Sequence, residues 1–140
     1  MSVSAAAPTT EAPVQPNTPF YRLGGTPVMT AIVERFYDLM EQDPAYAELR
    51  AMHAPDLSMM RKSLVGFLTG WAGGPRDWFD ANPGKCMMSA HKPFVITPAV
   101  AGQWADAMQR AIADAGIADA ELSKAMAGVL TDMAKGMARA

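Results

Sequence analysis

The chain of 140 residues contains one cysteine, Cys86, and two histidines, His53 and His91. It also lacks any apolar run near the roughly 20 residues that span a bilayer. A single cysteine excludes an internal disulfide framework and fits a reducing compartment. Lys85 is its only basic neighbour, so Cys86 reads as a bystander rather than an activated thiol. The two histidines form no HxxxH or HExxH pair, which removes support for a zinc hydrolase. GxGxxG and GxxxxGK phosphate loops are absent, and no Asp/Glu pair stands out for acid–base work. Twelve Lys and Arg against fourteen Asp and Glu give a formal charge of −2. The basic residues are scattered singly or in pairs, without the stripe that phosphate binding needs, so a nucleic-acid module is excluded. The first stretch, MSVSAAAPTTEAPVQPNT, has no Lys or Arg and no apolar h-region, and so does not read as a secretory signal. A cytoplasmic protein is the expectation, with no membrane partner.

What is present is half hydrophobic and helical in pattern. Residues 1–18, rich in Pro, Ala and Thr, are expected to form a flexible tail, and residues 19–140 a single folded domain. Phe20, Tyr21 and Leu23 make a short turn ending at Gly24-Gly25. Thr26-Pro27 reads as an N-cap with proline in the first helical turn. Met29, Ile32, Val33, Phe36 and Met40 follow at helical spacing until Asp43-Pro44. A short helix is expected over 45–52, broken at His53-Ala54-Pro55. Asp56 caps the next helix, with Leu57, Met60, Leu64, Phe67, Leu68 and Trp71 on one face and Gly73-Gly74-Pro75 as its stop. Residues 76–88 keep no period and read as a long structured loop, of a length that usually carries function. Thr97-Pro98 opens a helix bearing Val100, Trp104, Met108 and Ile112, closed by Gly116. The last helix starts near Asp119, with Leu122, Met126, Val129, Leu130, Met133 and Met137 on one face. The fold class is all-α. Twelve methionines are mostly core filler in such a chain.

A lone histidine in a loop is by default a solvated surface residue. The setting of His91, MMSAHKPFVITP, changes that reading. Proline stiffens the chain just past it, and Phe94 with Ile96 offers a flat apolar wall. This is what a haem iron asks of its proximal side: a neutral imidazole at a fixed angle against apolar surface that excludes water.

Five stretches in order, at matching intervals, resemble the group II truncated haemoglobins, the two-over-two globins of bacteria and plants. They are Phe20-Tyr21-Arg22-Leu23-Gly24-Gly25; Arg35-Phe36-Tyr37; Phe67-Leu68-Thr69-Gly70-Trp71-Ala72-Gly73-Gly74-Pro75; His91-Lys92-Pro93-Phe94-Val95-Ile96; and Trp104, thirteen positions after His91. The resemblance implies a two-over-two helical sandwich around haem b (iron protoporphyrin IX), with His91 as the proximal iron ligand. It places Tyr37, Trp104 and His53 on the distal side and Leu64 on the ligand-facing position of the distal helix. Met60 falls where a vertebrate globin has its distal histidine. Phe36, Phe67, Trp78, Met88, Phe94 and Ile96 fall on positions that line the haem. The chain departs from the pattern just before His91: Cys86-Met87-Met88-Ser89-Ala90 stands where many members carry basic residues for a haem propionate. Arg61, Lys62 and Lys92 are the candidates for that contact.

The resemblance also implies the function, reversible binding of O₂ and other small diatomic ligands such as CO or NO, in storage, sensing or delivery. The alternative is a redox haem enzyme, a peroxidase or nitric-oxide dioxygenase. The chain has no flavin or nicotinamide domain, so turnover would require a separate reductase. Peroxidase work would lean on His53, the only candidate distal base. Taken without the resemblance, Tyr37 and Trp104 are equally readable as core residues at helical spacing. A haem-free helical interaction module is then the bland reading.

Overall fold

The structure, a computed structural model, describes residues 17–85, 91 and 94–138. Most of the 1–18 segment, together with Cys86, Met88 and Lys92, lies outside the described residues. Seven α-helices and one 3₁₀ turn make up the described chain, with no strand among the described residues. They are α1 (Pro19–Leu23), α2 (Thr26–Gln42), the 3₁₀ turn (Pro44–Tyr46), α3 (Ala47–Ala51), α4 (Ser58–Trp71), α5 (Asp77–Ala81), α6 (Pro98–Asp114) and α7 (Ala120–Gly136). None of these helices is long and apolar enough to cross a membrane.

Helix α2 is the centre of the packing, contacting α4 on one side and α6 on the other, while α6 pairs with α7. Its inward stripe, Met29, Ile32, Val33, Phe36 and Met40, repeats at three and four residues and is almost fully buried. Met108 and Ile112 of α6 and Met126 and Leu130 of α7 close the same core. Burial of each such side chain contributes about 1.5–3 kcal/mol. The small residues Ala101, Ala105, Ala107 and Ala111 are buried on α6, which lets neighbouring backbones come close. The long helices α2 and α4 on one side and α6 and α7 on the other match the two-over-two sandwich expected from the resemblance.

The helix ends follow their chemistry, with some displacement. Thr97 caps α6 by accepting the Val100 N–H at 3.2 Å, and Asp119 caps α7 by accepting the Leu122 N–H at 3.0 Å. Asp56 accepts the Ser58 N–H at 2.9 Å and the Ser58 hydroxyl at 2.7 Å, so it tethers the start of α4. Thr26 is the first helical residue of α2 rather than its cap. Gly25 takes the cap position at φ 76°, and Thr26 makes no capping bond. Gly73, at φ 93°, carries the chain out of α4, and its carbonyl accepts the Thr18 hydroxyl at 3.0 Å, docking α1 on the end of that helix.

Two expectations need correction. The 76–88 stretch is not loop throughout, because α5 lies inside it. The helix is five residues long and too short to show a period. It is held by tertiary contact: a Cβ on Gly70 would sit 2.5 Å from two ring carbons of Phe79, so only glycine lets α5 pack this closely on α4. Val129 is 48% exposed, not core. The buried row of α7 runs Leu122, Met126, Leu130 and Ala134, four residues apart, and Val129 lies beside it.

Candidate functional site

Four rings from three parts of the chain form a continuous row. Phe36 and Tyr37 are neighbours on α2, with centroids 5.0 Å apart and planes at 74°. Trp104 comes across from α6 to meet Phe36 at 5.3 Å and 61°. His53, on the loop after α3, meets Tyr37 at 6.2 Å and 81°. All three contacts are edge-on, the arrangement that ring quadrupoles favour. Phe36 and Tyr37 are buried, and Trp104 and His53 are half-buried.

The polar atoms of this row are the informative part. Tyr37 is 2% exposed, yet among the described residues its hydroxyl has no hydrogen-bond partner, nor has the indole N–H of Trp104. Buried donors are nearly always paired, so the Tyr37 hydroxyl needs an explanation, while the Trp104 indole is half-buried. Burial pushes the Tyr37 phenol up to about 12, with the Arg61 charge working the other way. The hydroxyl is therefore a protonated donor at any physiological pH. His53 is oriented by its neighbours. Its Nδ1–H donates to the Leu49 carbonyl at 2.9 Å, which leaves Nε2 as the acceptor of the neutral ring. Burial lowers the His53 pKa. The Leu49 bond opposes this, and the Arg50 and His91 charges reinforce it.

The His91 charge is the last of these influences on His53, acting across 38 positions of sequence (91 − 53). His91 itself is helical and exposed, and its carbonyl accepts the Phe94 N–H at 3.0 Å. Phe94, 46% exposed, and half-buried Ile96 follow it. Met60 (40% exposed) and half-buried Leu64 and Phe67 come from α4. Phe67 meets Trp78 of α5 edge-on at 5.5 Å. Arg61 is engaged elsewhere: its guanidinium pairs with Glu34, Asp38 and Glu41 of α2 at 2.6, 3.1 and 2.8 Å.

Several residues that hold the site gave no signal in the sequence. Arg50 donates to the carbonyls of Ala54 and Pro55 at 3.0 and 2.9 Å, fixing the loop on which His53 stands. Gln103, next to Trp104, accepts the Leu49 N–H through Oε1 at 3.0 Å, tying α3 to α6. Tyr46 donates to Asp106 and accepts from Arg110, which ties the 3₁₀ turn before α3 to α6 as well. The partners that Gln103 and Tyr46 find lie 54 to 64 positions away and follow no motif.

The donor set fits a haem. Among the described residues no three His, Cys, Asp or Glu side chains converge as a metal cage. A metal held through one histidine must then bring its other in-plane ligands with it, as a porphyrin does. Flat apolar side chains from α2, α4 and α5 suit a planar macrocycle, and the two donors without a partner among the described residues suit a polar ligand beside it.

Comparison with known proteins gives the same direction. The profile of the bacterial-like globin family matches residues 18–139. A curated group 1 truncated haemoglobin of Chlamydomonas moewusii is 34% identical over 96 residues, which is 67% of this chain and 53% of that protein. The chain thus spans about half the length of that relative. Among solved structures, a cold-adapted truncated haemoglobin of Pseudoalteromonas haloplanktis is 29% identical, with TM-score 0.83 over 89% of this chain and 99% of that one. A group II two-on-two haemoglobin of Agrobacterium tumefaciens is 27% identical, with TM-score 0.84 over 91% and 98%. A group II truncated haemoglobin of Bacillus anthracis is also 27% identical, with TM-score 0.79 over 89% and 98%.

Proposed function

This chain belongs to the bacterial-like globin family, and from that premise we propose that it carries haem b on His91 and reversibly holds O₂, CO or NO beside Tyr37 and Trp104. The observation that carries the reading is a pair of donors without a partner among the described residues, the Tyr37 hydroxyl and the Trp104 indole N–H, on the two rings that flank Phe36. When bound, haem supplies the iron at which a diatomic ligand attaches and leaves.

The protein residues then decide how long the ligand stays. Tyr37 and Trp104 present O–H and N–H groups in a largely dry environment, where a hydrogen bond to a polar ligand counts for more than in water. His53 is held by Leu49 with Nε2 turned to acceptor duty, and its lowered pKa keeps the ring neutral. Phe36, Leu64, Phe67, Trp78, Phe94 and Ile96 would exclude water and hold the macrocycle, with Met60 adding polarisable sulfur; Met88, expected there from the resemblance, lies outside the described residues. The His91 imidazole supplies the protein's own iron ligand. Lys62 and Lys92 are the basic residues for the propionates, since Arg61 is already committed to three carboxylates.

The test is a set of absorption spectra of the purified protein supplied with haem, recorded ferric, reduced, under O₂ and under CO. A Soret band that shifts with each state, and an O₂ spectrum reversed by removing the gas, is the expected result. Absence of any Soret band after haem is supplied would overturn the proposal.

A further inference from the structure

We infer that Arg61 is the positioning residue for Tyr37, a guanidinium on α4 that fixes the attitude of the ligand-facing ring on α2 without touching the ligand. The inference rests on the reading of Tyr37 as ligand-facing.

Residues 37 and 38 of α2 each lie three or four positions from both 34 and 41, so the four sit along one side of that helix. Arg61 reaches this face from α4 and uses both terminal nitrogens. Nη1–H donates to Glu34 Oε1 at 2.6 Å and to the Glu34 carbonyl at 3.3 Å. Nη2–H donates to Asp38 Oδ1 at 3.1 Å and to Glu41 Oε1 at 2.8 Å. Three attachment points spread along α2 leave the planar group one orientation, which a lysine ammonium would not reproduce. In that orientation Cζ lies 5.6 Å from the Tyr37 ring centroid, within reach of a cation–π attraction. The ring is thus bounded by Phe36, by His53 and by the Arg61 guanidinium.

Charge strengthens the case. Glu34, Asp38 and Glu41 put three carboxylates on the α2 face that Arg61 meets. Among the described residues the other cation near them is Arg50, 3.9 Å from Glu41. Without Arg61 these carboxylates would repel one another, and the α2 face next to Tyr37 would relax. The Arg61 side chain is 22% exposed, so solvent screens the group only partly.

The experiment uses Arg61→Met and Arg61→Lys, each with and without Tyr37→Phe, as ferrous haem protein. Ring-labelled tyrosine NMR of the CO form reads position, and Tyr37→Phe identifies its signal among the three tyrosines. Arg61→Met is expected to shift and broaden the Tyr37 signals and to leave those of Tyr21 and Tyr46 in place. Arg61→Lys should fall between. O₂ dissociation should rise about fivefold in Arg61→Met, the scale of one misaligned hydrogen bond, and the same substitution should add nothing on a Tyr37→Phe background. Unchanged Tyr37 signals, or an equal effect on both backgrounds, would overturn the inference. If Tyr37→Phe alone leaves O₂ dissociation unchanged, the ligand-facing reading of Tyr37 fails instead, and the ring signals still decide whether Arg61 positions it.

Discussion

Replacing Tyr37 by Phe should move stability and ligand retention in opposite senses. The substitution removes one buried hydroxyl and nothing else: the ring keeps its contacts with Phe36 and His53, and Arg61 still has an aromatic face to sit on. Among the described residues that hydroxyl has no partner in the protein, so in the absence of a diatomic ligand it carries a desolvation cost of about 1–3 kcal/mol. Part of that cost is relieved in the variant. The expected gain is about 1 kcal/mol, or roughly 4 °C in Tm at this chain length. With O₂ present the balance reverses, because the variant loses a hydrogen bond worth about 1–2 kcal/mol, and dissociation should quicken about five- to thirtyfold. Thermal melts under argon and stopped-flow O₂ displacement by CO measure the two halves. A variant that melts lower under argon by several degrees would show that the hydroxyl has a protein partner, and the assignment of Tyr37 to the ligand would collapse.

Other substitutions probe neighbouring parts of the account. Trp104→Phe should also speed O₂ dissociation several-fold, and combined with Tyr37→Phe it should fall short of the product of the two, since both donors serve one ligand; a multiplicative result in stopped flow would argue that they act separately. Gly70→Ala places a Cβ 2.5 Å from the Phe79 ring and should cost about 1–2 kcal/mol through displacement of α5, seen in thermal melts and in weaker haem retention; an unchanged melt would mean that α5 yields freely. Asp119 has a lowered pKa, chiefly from the Leu122 N–H and then from Arg22, so its contribution is present above the unfolded carboxylate value near 3.9 and is lost as pH falls through the lower folded value. Asp119→Asn should therefore flatten the acid limb of a circular-dichroism titration below pH ~4, and an unaltered limb would count against that linkage.

The sequence showed the helices that have both a period and a chemical boundary. Thr97 and Asp119 act as the caps their residue types announced, and α2 ends at Asp43 because Pro44 follows. Helix α5 stayed hidden because a five-residue element has no period, and its support is the space above Gly70 rather than anything local. The N-cap of α2 was misplaced by one residue, since Gly25 at positive φ can begin a helix without a hydroxyl.

At the site, the resemblance led to the expectation that Tyr37, His53 and Trp104 share one side, and the structure brings their rings into one row with Phe36. That the two donors lack partners among the described residues is a property of packing, which spacing along the chain does not encode. The commitment of Arg61 to carboxylates 20 to 27 positions away, and the hold of Gln103 on Leu49 across 54, likewise depend on how α2, α4 and α6 meet. Arg61 was a reasonable propionate candidate from charge alone. Its surroundings give it other work.

The proposed ligation of iron by His91 is open to resonance Raman spectroscopy of the reduced, ligand-free protein. An iron–histidine stretching band is expected that disappears in His91→Gly and returns, shifted, when imidazole is added to the variant. A band that persists unchanged in His91→Gly would contradict it and require another residue to hold the iron.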